Sequence, residues 1–392
     1  MSHYPCLIVG GGMTAASALK AIRKADPAVE IGLVSAESYP PYQRPPLSKG
    51  LWKDGSPDDI WYEFPDEGVD VLLERRIVAL DPAAKRVRDD RGDEHSYDRL
   101  LLATGGKPRR LADDGGQVIY FRTYLDYQRL RARVAPGKRF VVIGGGFIGC
   151  EIAAALRLQE CEVTMIVPEA GLGGLVFPAD LSAHLADYYR ERGVEVVTGK
   201  RVERIMTEGG FSVVIAEEGG GHWRADGVVA GLGIVPNVKL AADAGIETDG
   251  GVVVDAQLRT SAPDVYAAGD VASFTPSALG RRLRVEHEDA AVSMGTVAGH
   301  NMAGGDRTYD QVPFFYSDLF DLGYEAVGPL DARLEIVADW KEEFREGVVY
   351  YLEGGRVRGV LLWNVWDKVS AARELIAAPG PVRAADLRGR IG

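Results

Sequence analysis

Hydrophobic positions along the chain form short continuous apolar runs, each followed by a segment in which apolar residues recur every three or four positions. The clearest runs are CLIV at 6–9 and VVI at 141–143, and a glycine-rich turn follows each of them. Continuous runs of this length are typical of strands buried on both faces, and the wider spacing is typical of amphipathic helices. Each half of the chain is therefore predicted to run strand, helix, acid-tipped strand, helix, strand, hairpin and strand.

This alternation predicts an α/β fold with two parallel sheets that carry helices on both faces. The two hairpins are expected across Arg91-Gly92 and in the EEGGGHW stretch at 217–223. The segment 252–272 is predicted to form strand, turn, strand and helix start, and to return to the first half. Residues 284–302 have helical spacing.

The end of the chain has a different pattern, which predicts a separate small α+β unit from Tyr309 onward. A hairpin is expected to turn at Gly354-Gly355, and KVSAARELIAA at 368–378 has the spacing of an amphipathic helix. A length of 392 residues suits two or three domains. The predicted boundaries are 1–112 together with 238–306 for the first domain, 113–237 for the second and 307–392 for the third.

A glycine-rich fingerprint occurs twice, each time between a predicted strand and a predicted helix. Its key positions are Gly10, Gly12 and Ala15 in the first copy, and Gly144, Gly146 and Gly149 in the second. The first position permits a tight turn, the second lets the backbone approach a pyrophosphate, and the third packs helix against strand. The helix N-terminus then faces the phosphates. A lone copy could be an ordinary turn, but two copies in this context favour two dinucleotide sites.

Each fingerprint is followed by an acid at the spacing that a ribose contact requires. Glu37 lies 22 residues after the third position of the first copy, and Glu169 lies 20 residues after that of the second. A carboxylate about 20 residues on accepts hydrogen bonds from a ribose 2′-hydroxyl. The chain is thus predicted to bind two nucleotide cofactors.

Charge and composition exclude several other classes of function. The net charge is −12, which argues against nucleic acid as a partner. No apolar run approaches the roughly 20 residues of a membrane span, and no charged-then-apolar leader is evident, so we expect a cytoplasmic protein. A basic cluster at 281–284 is interpreted either as a solvated loop or as a docking patch.

The cysteines and histidines exclude two kinds of site. Cys6, Cys150 and Cys161 form no CxxC or CxxxxC pair, so neither a structural disulfide set nor a catalytic dithiol is expected. The six histidines lack the spacing of metal ligands, and no metal is expected.

Further motifs give the chain a family resemblance over nearly its whole length. They are PYQRPPLSKGLW at 41–52, LLLATGGKPR at 100–109, SAPDVYAAGDVA at 261–272, RVEHEDAA at 284–291, VPFFYSDLFDLGYEAVG at 312–328 and GVLLWNVWDKVSAARELI at 359–376. With the fingerprints, they resemble flavin-dependent reductases with two dinucleotide-binding domains. The most similar groups are apoptosis-inducing factor, monodehydroascorbate reductase and the NADH–ferredoxin (putidaredoxin, rubredoxin) reductases.

The resemblance implies that the first domain binds FAD, the second binds NADH and the third covers the flavin. Residues matching cofactor contacts of the family, beyond the fingerprint and ribose positions above, are Arg44, Lys49, Thr104, Gly105, Arg122, Phe147, Ile148, Glu151, Gly233, Gly269, Asp270, Glu286, His287 and Tyr316. Arg44 matches a pyrophosphate contact and Asp270 a ribityl contact. Glu169 implies NADH in preference to NADPH, because a carboxylate repels a 2′-phosphate.

Four of these positions match the reacting centre of the family. Lys49 and Glu151 match a pair beside flavin N5, although Glu151 could instead cap or solvate its helix. His287 matches a position near the flavin pyrimidine, where stacking is favoured over proton transfer. Tyr316 matches an aromatic that either relays electrons or shields the ring. Phe147, inside the second fingerprint, is either a gate for nicotinamide or ordinary packing.

The resemblance implies an FAD-dependent NADH oxidoreductase that passes hydride from NADH to flavin N5. Electrons would then reach a ferredoxin- or rubredoxin-type protein, or a quinone or a radical such as monodehydroascorbate. The tyrosine in FYSD resembles the version in monodehydroascorbate reductase and stands where apoptosis-inducing factor carries tryptophan, which leaves this acceptor open. The alternative is a redox sensor in which a long-lived flavin–NAD charge-transfer complex controls partner binding. The protein is expected to be a monomer or a homodimer.

Overall fold

The structure is a computed structural model that describes residues 2–64 and 67–391. Its residues group into two compact units. Unit 1 comprises the described residues of 1–43, 57–107 and 235–313, and unit 2 those of 44–56, 108–234 and 314–392. The predicted division into three domains stays a prediction.

Seven α-helices and twenty-four strands are assigned within the described residues. The helices are α1 (Met13–Ala25), α2 (Tyr124–Arg131), α3 (Phe147–Leu158), α4 (Ala179–Glu191), α5 (Lys239–Asp243), α6 (Glu288–Met302) and α7 (Val369–Ala377). The first twelve strands are β1 (Ser2–Val9), β2 (Ile31–Val34), β3 (Val69–Leu72), β4 (Ile77–Asp81), β5 (Arg86–Asp89), β6 (Glu94–Leu102), β7 (Gly106–Pro108), β8 (Val118–Tyr120), β9 (Arg139–Ile143), β10 (Glu162–Ile166), β11 (Val194–Val197) and β12 (Val202–Glu208). The others are β13 (Phe211–Ala216), β14 (His222–Ala225), β15 (Gly227–Ala230), β16 (Ile234–Pro236), β17 (Val252–Val253), β18 (Val265–Ala267), β19 (Ala272–Ser273), β20 (Phe314–Leu319), β21 (Leu322–Val327), β22 (Glu335–Glu342), β23 (Glu346–Glu353) and β24 (Arg356–Trp363).

Unit 1 is built on a seven-stranded sheet in the order β3-β2-β1-β6-β5-β4, with β18 also paired to β6. The strands β3, β2, β1, β6 and β18 run parallel, and the β4–β5–β6 part is antiparallel. Leu7 and Ile8 of β1 are fully buried, as expected for a parallel strand covered on both faces. The predicted return of residues 252–272 to the first half is confirmed by the pairing of β18 with β6.

Helices α1 and α6 of unit 1 pack closely because small residues face each other. A Cβ atom on Gly295 would lie 2.4 Å from the Thr14 carbonyl oxygen, and one on Gly299 would lie 2.3 Å from that of Ala18. Only glycine allows this approach. The contact places the N-terminal end of α1, where the first fingerprint lies, on a rigid support.

One predicted helix of the first half is wrong. Between β2 and β3 the described residues form only short 3₁₀ turns, Pro45–Ser48, Gly50–Trp52 and Pro57–Ile60. Prolines in this stretch cannot donate the hydrogen bonds of an α-helix and clash with the preceding turn. Among the described residues they are Pro40, Pro41, Pro45, Pro46 and Pro57. The helix start predicted near residue 269 is likewise a 3₁₀ turn, Gly269–Val271.

Unit 2 contains a five-stranded parallel sheet in the order β11-β10-β9-β15-β8. Here the predicted order holds in full, because α3 follows β9 and α4 lies between β10 and β11. The predicted hairpin forms between β13 and β14, within a three-stranded antiparallel sheet with β12. Residues of β13 alternate between half-buried and buried, so one face of this small sheet is covered.

The C-terminal part of unit 2 is a five-stranded antiparallel sheet in the order β20-β21-β24-β23-β22. The predicted turn at Gly354-Gly355 joins β23 to β24, and both glycines have positive φ. The predicted amphipathic helix is α7, which packs against β21 and β24. Tyr324 of β21 and Trp363 of β24 stack in the core of this C-terminal part, with their ring centroids 5.7 Å apart. Among the described residues, no helix is both long and apolar enough to cross a membrane.

Candidate functional site

The first glycine-rich turn joins β1 to α1 in unit 1. Gly10 has φ +125°, and a Cβ there would lie 2.1 Å from the carbonyl oxygen of Ala103, so no other residue fits without a backbone shift. Gly12 is the N-cap of α1 and supplies no side-chain hydrogen bond to the first turn. The amide groups of that turn are therefore not capped by the Gly12 position, as an anion-binding helix N-terminus requires. Ala15 is fully buried.

The second turn joins β9 to α3 in unit 2 and repeats this construction. Gly144 has φ +102°, and a Cβ on Gly149 would lie 2.0 Å from the Gly144 carbonyl oxygen. Gly146 is the N-cap of α3, without a side-chain cap, and a Cβ there would meet no atom within 4 Å. The turn is thus tight where helix packs on strand and open where a pyrophosphate would approach.

The two ribose candidates lie after the second strand of each parallel sheet. Glu37 follows β2 in unit 1, and its Oε2 accepts a hydrogen bond of 2.6 Å from the Tyr42 hydroxyl. Glu169 follows β10 in unit 2 and is half-buried. Within the part of the chain that the structure describes, the Glu169 carboxylate has no hydrogen-bond or ion-pair partner. Both turns and both acids fit dinucleotides such as FAD and NADH, which carry a pyrophosphate and ribose hydroxyls.

A buried polar cluster in unit 2 is centred on Glu151, in the second turn of α3. The Glu151 side chain is only 3% exposed, and its Oε1 lies 2.7 Å from the Lys49 ammonium. The Ser317 hydroxyl donates to the same oxygen at 2.6 Å, and the Ser48 hydroxyl donates to Oε2 at 2.5 Å. The two serines were not identified from the sequence. Glu151 therefore neither caps nor solvates its helix, because its carboxylate is turned to these three donors.

Aromatic rings surround this cluster within unit 2. Phe147, the first residue of α3, is half-buried, with its ring centroid 4.7 Å from that of Phe315. Tyr316 is 37% exposed, and the Lys49 ammonium lies 5.4 Å from its ring centroid. Because side chains alternate along β20, Tyr316 and Ser317 point to opposite faces of that strand. Ile148, also in the second fingerprint, is 38% exposed.

The remaining unit 2 candidates lie in loops. The Arg44 guanidinium donates to the Arg122 carbonyl at 3.0 Å, so the structure brings these two predicted cofactor contacts together. Arg122 directly precedes the capping box of α2, in which Thr123 is the N-cap. Gly233 has φ +75°, and its carbonyl oxygen accepts from the Arg109 backbone at 2.9 Å.

In unit 1, Thr104 and Gly105 are fixed by a residue that the sequence did not single out. Thr104 Oγ1 donates to the carbonyl oxygen of Asn237 at 3.1 Å, and the Asn237 amide donates back to the Thr104 carbonyl at 2.8 Å. The Asn237 backbone amide also donates to the Gly105 carbonyl at 2.9 Å. Asn237 directly follows VVAGLGIVP, the segment of the second half that corresponds to LLLATGGKP of the first. This position is the sequence feature from which its role could have been predicted.

The other unit 1 candidates cluster where α6 begins. His287 is the N-cap of α6, and burial lowers its pKa to about 4, although the nearby Asp270 carboxylate acts to raise it. At neutral pH its imidazole is therefore neutral. Gly269 and Asp270 lie in one 3₁₀ turn, and Arg284 donates to the Asp270 carbonyl at 3.2 Å and to the Glu286 carboxylate at 2.8 Å.

The three cysteines are free and buried. Burial raises the pKa of the Cys6 thiol to about 11 and raises those of Cys150 and Cys161 as well. Thiolates are the reactive form of cysteine. These thiols are therefore poor nucleophiles, which agrees with the sequence argument against a dithiol mechanism.

Two families match the chain. The family described as "Pyridine nucleotide-disulphide oxidoreductase" matches residues 4–295, and "Apoptosis-inducing factor, mitochondrion-associated, C-term" matches residues 337–378. The first match spans both fingerprints and both ribose candidates. The second lies within the C-terminal sheet and α7.

Curated relatives and solved structures resemble the chain over nearly its whole length. The ferredoxin–NAD(+) reductase component of the anthranilate 1,2-dioxygenase system of Burkholderia cepacia is 37% identical, with 98% of each chain covered. The peroxisomal monodehydroascorbate reductase 1 of Arabidopsis thaliana is 32% identical, covering 92% of this chain and 90% of the relative. A chain of the covalent putidaredoxin reductase–putidaredoxin complex superposes with a TM-score of 0.90 at 28% identity, covering 99% of this chain and 96% of that one. These similarities confirm the predicted fold class and the three groups named from the sequence.

Proposed function

Because the chain belongs to the pyridine nucleotide-disulphide oxidoreductase family, we propose that it is the NADH-dependent reductase of a ferredoxin-type iron–sulfur protein. The enzyme class and the two cofactors predicted from the sequence, FAD and NADH, are confirmed by the family and by the relatives. The chain is a flavin-dependent oxidoreductase. The identity of its electron acceptor and the roles of individual residues are proposals.

The observation that carries the proposal is the buried ion pair between Lys49 and Glu151. Glu151 lies in the helix that follows the second glycine-rich turn, so one element supports both the proposed NADH site and the charged pair. A buried charge pair is costly to form, and it persists where geometry and hydrogen bonding are good. A fixed ammonium can stabilise negative charge that develops during a hydride transfer, because it needs no reorganisation at the moment of reaction.

FAD, when bound, supplies an N5 atom that accepts hydride and a ring that can release electrons singly. In the proposal, Gly10, Gly12, Glu37, Thr104 and Asp270 hold FAD through its pyrophosphate, ribose and ribityl groups. Lys49 presents its positive charge to the isoalloxazine, and neutral His287 stacks without transferring a proton. Tyr316 shields the ring from water.

The proposed NADH contacts are all in unit 2. Gly144, Gly146 and the N-terminus of α3 bind the pyrophosphate, and Glu169 accepts hydrogen bonds from the adenosine ribose. Phe147 lies at the first position of α3, beside the pyrophosphate contacts, and is proposed to move aside for nicotinamide. Support for this gate is that the Phe147 ring, with its centroid 4.7 Å from that of Phe315, is only half-buried.

The proposed acceptor is supported by the relative with 37% identity, which is named as a ferredoxin–NAD(+) reductase component. A cytoplasmic location is proposed as well, and the three unpaired cysteines support it because reducing compartments keep thiols free. The apoptosis-inducing factor match at residues 337–378 is the observation that favours the second candidate, a redox sensor.

The deciding experiment is anaerobic stopped-flow reduction of the FAD-loaded protein by NADH, with NADPH in parallel. The reduced protein is then mixed with a [2Fe–2S] ferredoxin, a rubredoxin, a quinone, monodehydroascorbate radical or oxygen. We expect fast reduction by NADH and fast discharge to the ferredoxin. Rubredoxin, quinone and radical serve as controls for acceptor identity.

Three results would contradict the proposal. Discharge that is fast only with quinone or with the radical would replace the acceptor. Discharge that is fast only with rubredoxin would replace the proposed ferredoxin by a different iron protein as the acceptor. A persistent long-wavelength charge-transfer band with slow discharge to every acceptor, together with NADH-dependent sedimentation, would favour the redox sensor.

A further inference from the structure

The carboxylate of Glu151 is bound by more donors than a simple ion pair provides. Its Oε1 accepts from both the Lys49 ammonium and the Ser317 hydroxyl, and its Oε2 accepts from the Ser48 hydroxyl. The donor–acceptor distances lie between 2.5 and 2.7 Å, as expected for hydrogen bonds to an ionised acceptor. We call Ser48 and Ser317 the serine clamp.

The clamp answers an energetic problem that Lys49 alone leaves open. The Glu151 side chain is 3% exposed and the Lys49 side chain is 15% exposed, so water can solvate little of either charge. Burying a carboxylate is strongly unfavourable unless its lone pairs are satisfied. Each serine hydroxyl satisfies one further lone pair, and neither adds a competing charge.

The clamp also fixes geometry, because its two serines come from different elements of unit 2. Ser48 ends the 3₁₀ turn Pro45–Ser48, whose prolines restrict the backbone, and the Trp52 indole donates to the Leu47 carbonyl of the same turn at 2.6 Å. Ser317 lies on the inward face of β20 and is fully buried. Glu151 itself is on α3, so three elements converge on one carboxylate.

We propose that Ser48 and Ser317 are positioning residues that hold the Glu151 carboxylate, and through it the Lys49 ammonium, in a single place. This inference rests on the proposed function, in which Lys49 presents its charge to the flavin. Loss of either hydroxyl leaves Glu151 under-satisfied, so the carboxylate rotates and Lys49 becomes mobile. A mobile cation stabilises reduced flavin less well than a fixed one.

The test compares Ser317→Ala, Ser48→Ala and the double variant with the FAD-loaded wild-type protein. We expect the limiting rate of flavin reduction by NADH to fall about tenfold in each single variant, with the apparent Kd for NADH unchanged, because a buried hydrogen bond to a charged group is lost. The flavin midpoint potential should become more negative. Covalent labelling of the Lys49 amine by an acylating reagent, followed by mass spectrometry, should be several-fold faster.

Two controls keep the test sharp. Ser317→Thr retains the hydroxyl and should restore the potential and the slow labelling of Lys49. Ser212→Ala removes another buried serine of unit 2, on β13, and should behave as wild type. Circular dichroism and thermal unfolding identify a variant that has lost its fold. If Ser317→Ala does not fold, Ser48→Ala provides the same test.

A clamp variant with wild-type potential and wild-type Lys49 labelling would overturn the inference, as would Ser317→Thr behaving like Ser317→Ala. These readouts involve no electron acceptor. Failure of the proposed ferredoxin acceptor would therefore leave them unaffected, and the two proposals can fail separately.

Discussion

At the scale of single residues, the chemistry of this protein depends on carboxylates in contrasting surroundings. Glu151 is buried and accepts hydrogen bonds from three donors, and Oε2 of Glu37 accepts one from the Tyr42 hydroxyl. The Glu169 carboxylate has no hydrogen-bond or ion-pair partner among the residues described. A carboxylate already saturated by its own protein cannot bind a ligand. Of the three, Glu151 is the one whose carboxylate is taken up by donors of the protein itself, and Glu169 offers both of its oxygens to a ribose.

The substitution Glu169→Arg should reverse the nucleotide preference. The arginine guanidinium pairs well with a 2′-phosphate. It has no acceptor atoms, so it cannot replace the carboxylate that accepts hydrogen bonds from the ribose. We expect the ratio of kcat/KM for NADH to that for NADPH to fall by about a hundredfold, the equivalent of roughly 2.7 kcal/mol. Steady-state kinetics with both nucleotides measures this ratio.

Glu162→Arg provides the matched control, because Glu162 is an exposed glutamate at the opposite end of the same strand, β10. It makes the same change of charge away from the expected ribose. If NADH kept its advantage in Glu169→Arg, or if both variants shifted equally, the ribose role of Glu169 would be wrong.

At the scale of elements, each glycine-rich turn has two separate functions, since it packs a helix against a strand and leaves room for a bound pyrophosphate. In the second turn different residues serve these two functions. A Cβ on Gly149 would lie 2.0 Å from the Gly144 carbonyl oxygen, whereas a Cβ on Gly146 would meet no atom within 4 Å. The same sequence motif therefore predicts two different mutant phenotypes within four residues.

Gly149→Ala should destabilise the protein, because its methyl group would displace α3 from the Gly144 carbonyl. The expected loss is about 1–3 kcal/mol in the free energy of unfolding, typical of overpacking. Gly146→Ala should leave unfolding nearly unchanged but weaken NADH binding at least tenfold, because the methyl group occupies the approach of the pyrophosphate. Urea unfolding and NADH titration separate these outcomes, and equal effects of the two substitutions on stability would contradict them.

Elements whose local pattern and tertiary environment agree could be predicted from the sequence. The fingerprint turns, the acid-tipped strands and the Gly354-Gly355 hairpin belong to this group. The helix predicted between β2 and β3 was wrong because the prolines of the segment outweigh the analogy with the second half. Ser48, Ser317 and Asn237 could not be found from local pattern, because each acts on a partner more than a hundred residues away.

At the scale of the whole molecule, His287 links protonation to stability. Its pKa in the folded protein is about 4, below the ordinary value of 6.5, so the unfolded chain binds the proton more readily. The neutral, buried ring therefore causes stability to be lost as the pH falls from about 6.5 towards about 4, where the folded state at last takes up the proton.

The variant His287→Gln should show a smaller loss of stability over that range, because glutamine does not titrate. Thermal unfolding of the FAD-loaded protein at intervals between pH 7 and pH 4.5 measures the difference. His222→Gln, on the exposed first residue of β14, is the control and should retain the wild-type pH dependence. A wild-type profile for His287→Gln would show that another group is responsible.

The interleaving of the two units along the chain has a consequence for biosynthesis. Strand β6 needs β18 as a neighbour, and α1 needs α6, whose last residue is Met302. The ribosome must therefore translate about three-quarters of the message before the core of unit 1 can close. Until then, the nascent chain displays an unpaired edge of β6 and a bare apolar face of α1, surfaces of the kind that chaperones shield. Slow translation upstream of α6 would prolong that exposure, so the yield of folded protein in cells depends on how fast this middle stretch is made.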